Sequence, residues 1–79
     1  MRVLIKEPDS NIITAIEAMK VTFETDKDNE CMGNMIVKTT DTTGVCKMPR
    51  ITYDKYIDEL CSTNSLDLRH RQFTFTASK

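Results

Sequence analysis

Apolar and polar residues alternate over the first six positions. Met1, Val3 and Ile5 fall on one side of an extended segment, and Leu4 falls on the other among polar neighbours. This pattern predicts a strand. Pro8 then stops sheet pairing, and Asp9, Ser10 or Asn11 can accept the free amide hydrogens of a helix start. Beyond it Ile12, Ile16, Met19 and Phe23 recur at spacings of four, three and four, with Ala15 beside them, which predicts a helix to about residue 22. A competing reading puts Met19, Val21 and Phe23 on one face of a strand, because MKVTFET is rich in strand-favouring residues.

TDKDNECMGN breaks both periods and reads as a surface loop. NMIVKTT, DTTG and VCKM then read as strand, tight turn and strand, with Gly44 supplying the backbone freedom of the turn. Pro49 ends this hairpin. Thr52 can cap a second helix, in which Tyr53, Tyr56, Ile57 and Leu60 recur at helical spacing, and STNS closes it by competing for backbone hydrogen bonds. The last strand is RHRQFTFT. The expected fold class is therefore α+β: a two-layer sandwich with a four-stranded antiparallel sheet and two helices on one face, in the split β-α-β, ferredoxin-like order. Many unrelated functions share that order, so it carries no chemistry.

Composition narrows the class. The chain has 79 residues, enough for one small domain spanning 1–79 and one core; 39% hydrophobic and 29% charged residues exclude a low-complexity or purely disordered chain. A domain this short buries only ~60% of the surface its unfolded form exposes, which favours self-association, and we expect a homodimer. A net charge of −1 gives no global attraction to nucleic acid or anionic lipid. No apolar run approaches the length of a membrane span, and Lys6 and Glu7 arrive before a signal-peptide core can form. With an odd number of cysteines, three, free thiols in a reducing compartment are expected, which places the protein in the cytoplasm.

Candidate chemistry is sparse. In the tail, pleating would put Arg69, Arg71, Phe73 and Phe75 on one face and His70, Gln72, Thr74 and Thr76 on the other. If that face is open, rings beside arginines resemble a base-stacking platform. With only three phenylalanines and two tyrosines in the chain, and no glycine-containing aromatic run, we read both rings as core. Arg69, His70 and Arg71, joined by Lys47, Arg50 and Lys55, remain as a basic surface for phosphate, an acidic partner or an anionic metabolite; Asp54, Asp58 and Asp67 can neutralise it.

Cys31, Cys46 and Cys61 with His70 make up a zinc donor set in kind, but none has a second ligand two to four residues away, so no metal is expected. Asp26, Asp28 and Glu30 alternate as in a calcium loop, yet Cys31 stands where the glycine is needed and Val37 where the last glutamate is needed. They read as an acidic docking loop. One histidine, no phosphate-cradling glycine loop and no nucleophile elbow argue against an enzyme, and no cofactor is expected. The function expected is a small non-catalytic binding protein, an inhibitor or adaptor that occludes or bridges a macromolecular partner, most simply a protein. This profile is common among small inhibitors and adaptors, including those carried by phages and other mobile elements. The alternative is a nucleic-acid- or anionic-ligand-binding module using the basic C-terminal strand.

Overall fold

The computed structural model describes residues 1–6 and 10–77. The opening segment is the strand its alternation predicts: β1, Arg2–Lys6, buries Val3 and Ile5 and turns Arg2 and Lys6 outward. The expected break at Pro8 and cap at Asp9 lie outside the described residues.

The helix expected over residues 11–22 is absent, and two strands take its place: β2, Ile13–Glu17, and β3, Lys20–Thr25. The cause is a slip of phase. In β2 the even positions Thr14 and Ile16 lie opposite the buried Ile5 and Val3, followed by the buried Ala18. In β3 the odd positions Val21 and Phe23 lie opposite Val37 and Met35. Two period-two strands joined out of phase imitate the four-three-four spacing of a helix, and the β-branched residues within them favour extension. The competing strand reading of MKVTFET was thus the correct one.

β4, Met32–Lys38, and β5, Thr42–Pro49, form the expected hairpin, although its turn sits earlier than predicted. The connection is Thr39–Asp41, closed by the Thr39 amide donating to the Thr42 carbonyl at 2.9 Å. The Thr39 hydroxyl braces it against Thr42 Oγ1 at 2.8 Å. Gly44 lies inside β5 with no positive φ, so its lack of a side chain has a steric purpose. A Cβ there would meet the Phe75 ring at 2.6 Å and the Phe73 ring at 3.2 Å. Gly33, the other glycine, lies under Phe23, whose ring would be 2.5 Å from an added Cβ, and the Glu24 carbonyl would also be struck. The two glycines are seats for rings from neighbouring strands.

The second predicted helix is present as α1, Arg50–Thr63. Pro49 occupies its N-cap with no side-chain cap, so Thr52 is a helical residue and not the cap. Asn64 ends it in the left-handed conformation at φ 56°, its amide donating to the Leu60 carbonyl at 2.7 Å. Next comes a strand the sequence did not reveal, β6, Ser65–Asp67, which pairs parallel with β1. The final strand is shorter than expected: β7 covers Thr74–Ala77, and residues 69–71 belong to a turn.

The architecture is α+β, with the expected four-stranded antiparallel sheet in the order β3-β4-β5-β7. A three-stranded sheet, β2-β1-β6, and one helix among the described residues stand where two helices were expected, and β1 belongs to the smaller sheet. Both sheets feed one core. Val3, Ile5 and Leu66 come from the smaller one and Met35, Val37, Cys46 and Met48 from the larger, with Leu68 and Phe73 from the connection after β6. No α1 residue is fully buried, and Tyr53, Tyr56 and Leu60 close the core from the side. Phe73 is buried and Phe75 half-buried, so the rings are core, as the sequence suggested.

Phe73→Ala should lower unfolding free energy by about 3–5 kcal/mol in urea denaturation, as a large side chain deleted from a tight core does. Gly33→Ala should cost about 1–3 kcal/mol although alanine is the better strand residue in isolation, because its methyl meets backbone as well as ring.

Candidate functional site

Arg69, His70 and Arg71 share one turn, while Lys47 lies on β5 and Arg50 on α1. Arg69 forms a two-pronged ion pair with Asp67, Nε to Oδ1 at 2.8 Å and Nη2 to Oδ2 at 2.6 Å, and its amide also donates to Oδ1 at 3.2 Å. These bonds hold the Asp67 carboxyl down at about 2, below its ordinary 3.8. His70 is exposed in the same turn, which the Arg71 amide closes on the Leu68 carbonyl at 3.1 Å. Arg71 lies on Tyr56 of α1, its Nε donating to the phenol oxygen at 3.3 Å and its guanidinium carbon 5.9 Å from the ring centroid. The pleated array of Arg69, Arg71, Phe73 and Phe75 is therefore corrected: the arginines are in the turn, and only the rings face the core.

Lys47 points from β5 to Asp26, 3.6 Å away. Arg50, at the start of α1, contacts Asp54 at 3.3 Å and lies 5.4 Å from the centroid of Phe23. Three of the expected basic residues thus have their own carboxylate, two of them the neutralising aspartates Asp67 and Asp54. In the acidic segment the Asp26 carboxylate takes part in a described ion pair, while Asp28 is exposed. Asp26 accepts the Asp28 amide at 3.1 Å as well as Lys47, Asn29 accepts the Cys31 amide at 3.0 Å, and Glu30 is exposed.

Cys31 and Cys61 are exposed and Cys46 is buried, all as free thiols. Among the described residues no three of His, Cys, Asp and Glu come close enough to hold a metal ion. Burial pushes the Cys46 thiol up, opposed by the nearby Arg71 charge. No described helix is long and apolar enough to cross a membrane.

The surface that sequence reasoning missed is the outer face of the three-stranded sheet. Register places Leu4 between Ala15 and Asp67, Arg2 between Glu17 and Ser65, and Lys6 beside Ile13. Leu4 is only half-buried, Ala15 is exposed and Ile13 is 51% exposed. This gives an apolar centre with charges of both signs around it. A groove of about 390 Å³, lined by Arg2, Leu4, Thr63, Asn64 and Ser65, runs beside it at the C-terminal end of α1. Ile12 and Met19, 59% and 66% exposed, flank β2 at its two ends. Reading ITAIE as a strand would have revealed it, since alternation separates Ile13 and Ala15 from Thr14 and Ile16.

No family model, curated protein sequence or solved structure matches this chain.

Two measurements check these assignments. Asp67 should titrate near pH 2 by NMR and return toward 3.8 in Arg69→Ala. Because its folded pKa is depressed, its contribution to stability is present above the unfolded value and lost as pH falls from about 4 through 2. That dependence should flatten in the variant. A thiol reagent should modify Cys31 and Cys61 in the native protein and reach Cys46 only on unfolding, without prior reduction.

Proposed function

We propose that the protein is a small, non-catalytic binding protein that docks a protein partner on the open face of its three-stranded sheet, occluding or bridging it in the manner of an inhibitor or adaptor. One observation carries this reading: Leu4, Ala15 and Ile13 form an apolar centre inside a rim of Arg2, Lys6, Glu17 and Asp67. An apolar, desolvatable centre within a polar rim is the usual anatomy of a protein interface. The occupant is a folded protein surface that places an aliphatic or aromatic side chain on Leu4 and opposes the rim with charges of mixed sign. The cytoplasm is the setting we assign, where three free thiols stay reduced. The alternative, an anion-binding module on the basic tail, is weakened by the pairing of Arg69 with Asp67 and of Arg71 with Tyr56.

Capture of partners from the native host, followed by identification of bound proteins and nucleic acids, tests the reading. A protein retained by the wild type should be lost with Leu4→Asp and weakened with Arg2→Ala, while the double variant Arg69→Ala, Arg71→Ala retains it. Affinity should fall only modestly between low and high salt. A nucleic-acid ligand with a steep salt dependence, lost in the double arginine variant and kept by Leu4→Asp, would establish the anion-binding alternative instead.

A further inference from the structure

The described sheets have four edges, and three are blunted. β6 is three residues long and lies against α1. β7 is four residues long. β3 carries Lys20 and Glu24. The remaining edge, β2, is uncharged from Ile13 to Ile16, has no proline, and is flanked by the exposed Ile12 and Met19. Sheet proteins protect such edges because an unguarded apolar edge recruits another strand.

We infer that a second copy of this chain covers it, β2 pairing antiparallel with β2 of the other copy about a two-fold axis at Ala15. Strands that keep their inner and outer faces aligned pair only in alternate registers. Of these, the one centred on Ala15 matches all five residues of β2 with all five of its copy. In it, Ala15 meets Ala15, and Thr14 meets Ile16 on the inner side. The exposed Ile12 comes beside the half-buried Ile16, so the core continues across the axis. On the outer side Ile13 meets Glu17, whose other neighbour is its own Arg2. No row across the joined sheet sets like charges side by side. Size and charge are thus self-complementary, as an isologous interface requires.

The pairing makes a six-stranded sheet and joins the two Leu4–Ala15 patches into one apolar strip. It rests on the docking reading only for the use of that strip; the pairing itself stands or falls separately.

Sedimentation at micromolar concentration should find a species near twice 9.1 kDa. Ala15→Lys, at an exposed position, opposes two ammonium groups at the axis and should give a monomer with unchanged far-UV circular dichroism. Should that variant fail to fold, a disulfide decides. In a background of Cys31→Ser and Cys61→Ser, Ala15→Cys should form an interchain bridge on mild oxidation, since directly opposed residues lie about 4.5–5.5 Å apart, within disulfide reach. Thr76→Cys, on the other sheet, should not. A wild-type monomer across that range, a dimer that persists in a folded Ala15→Lys, or no bridge at position 15 would each overturn the inference. A monomeric wild type that still loses its partner with Leu4→Asp would do so while leaving the docking reading intact.

Discussion

Two successive amides decide the shape of this molecule. The Ala18 N–H donates to the Met1 carbonyl and the Met19 N–H to the Lys38 carbonyl, both at 2.7 Å, so adjacent residues are bound to different sheets. Ala18 is also buried, as a small residue at a crowded corner must be. The phase slip between β2 and β3 follows from this corner, because the chain must change which side it presents when it passes from one sheet to the other. It also lets both inner faces meet one core in a chain of 79 residues. A single flat sheet of this size would leave one face without cover.

The corner brings the sheets together, and the aromatic rings fill the space between them. Phe23 lies across Gly33 and against Tyr53, with ring centroids 4.7 Å apart, which ties the edge strand β3 to the first turns of α1. Phe73 and Phe75, with centroids 5.8 Å apart, cover Gly44 and attach the last strand to β5. A ring laid over a glycine on the neighbouring strand restores the apolar contact that the missing side chain gives up. With α1 burying no residue fully, these two seats anchor the chain's flanks alongside the half-buried Tyr53, Tyr56 and Leu60 of the helix.

Elements were legible in the sequence where their pattern is local. β1 alternates with one phase throughout, and α1 carries Tyr53, Tyr56 and Leu60 on one face with a left-handed residue at its end. β2 and β3 were not legible as a pair, because the slip at Ala18–Met19 imitates another period. β6 was hidden for a different reason: it is three residues long and its partner β1 lies some sixty residues earlier, a separation to which no local pattern is sensitive. Gly44 misplaced the turn because it answers to a ring in space, where a sequence window suggests only backbone freedom. The charged residues and their neutralisation by Asp54 and Asp67 were legible because that pairing is short-range: Asp67 with Arg69 two residues on, Arg50 with Asp54 four residues on. The face we propose for docking was invisible because Ile13 and Ala15 share a side only once β2 is extended.

Charge distinguishes the two open faces that remain. On the outer side of the larger sheet Lys20 and Lys38 stand directly opposite each other, in a row continued by Thr43 and Thr76. Like charges in direct opposition disfavour burial, and a lysine on an edge strand deters pairing there. Next to that row, Ile36 and Val45 are half-buried between Thr22 and Thr74, so little apolar surface is left to cover. The smaller sheet reverses both features. Its charges of opposite sign, Arg2 and Glu17, are already matched across one pair, and its edge carries isoleucine in place of lysine. Three of the four most exposed large apolar side chains, Ile12, Ile13 and Met19, thus lie on or flank β2, the fourth being Ile51 on α1, and at β2 electrostatics permits contact, which is the physical ground for the docking face we propose.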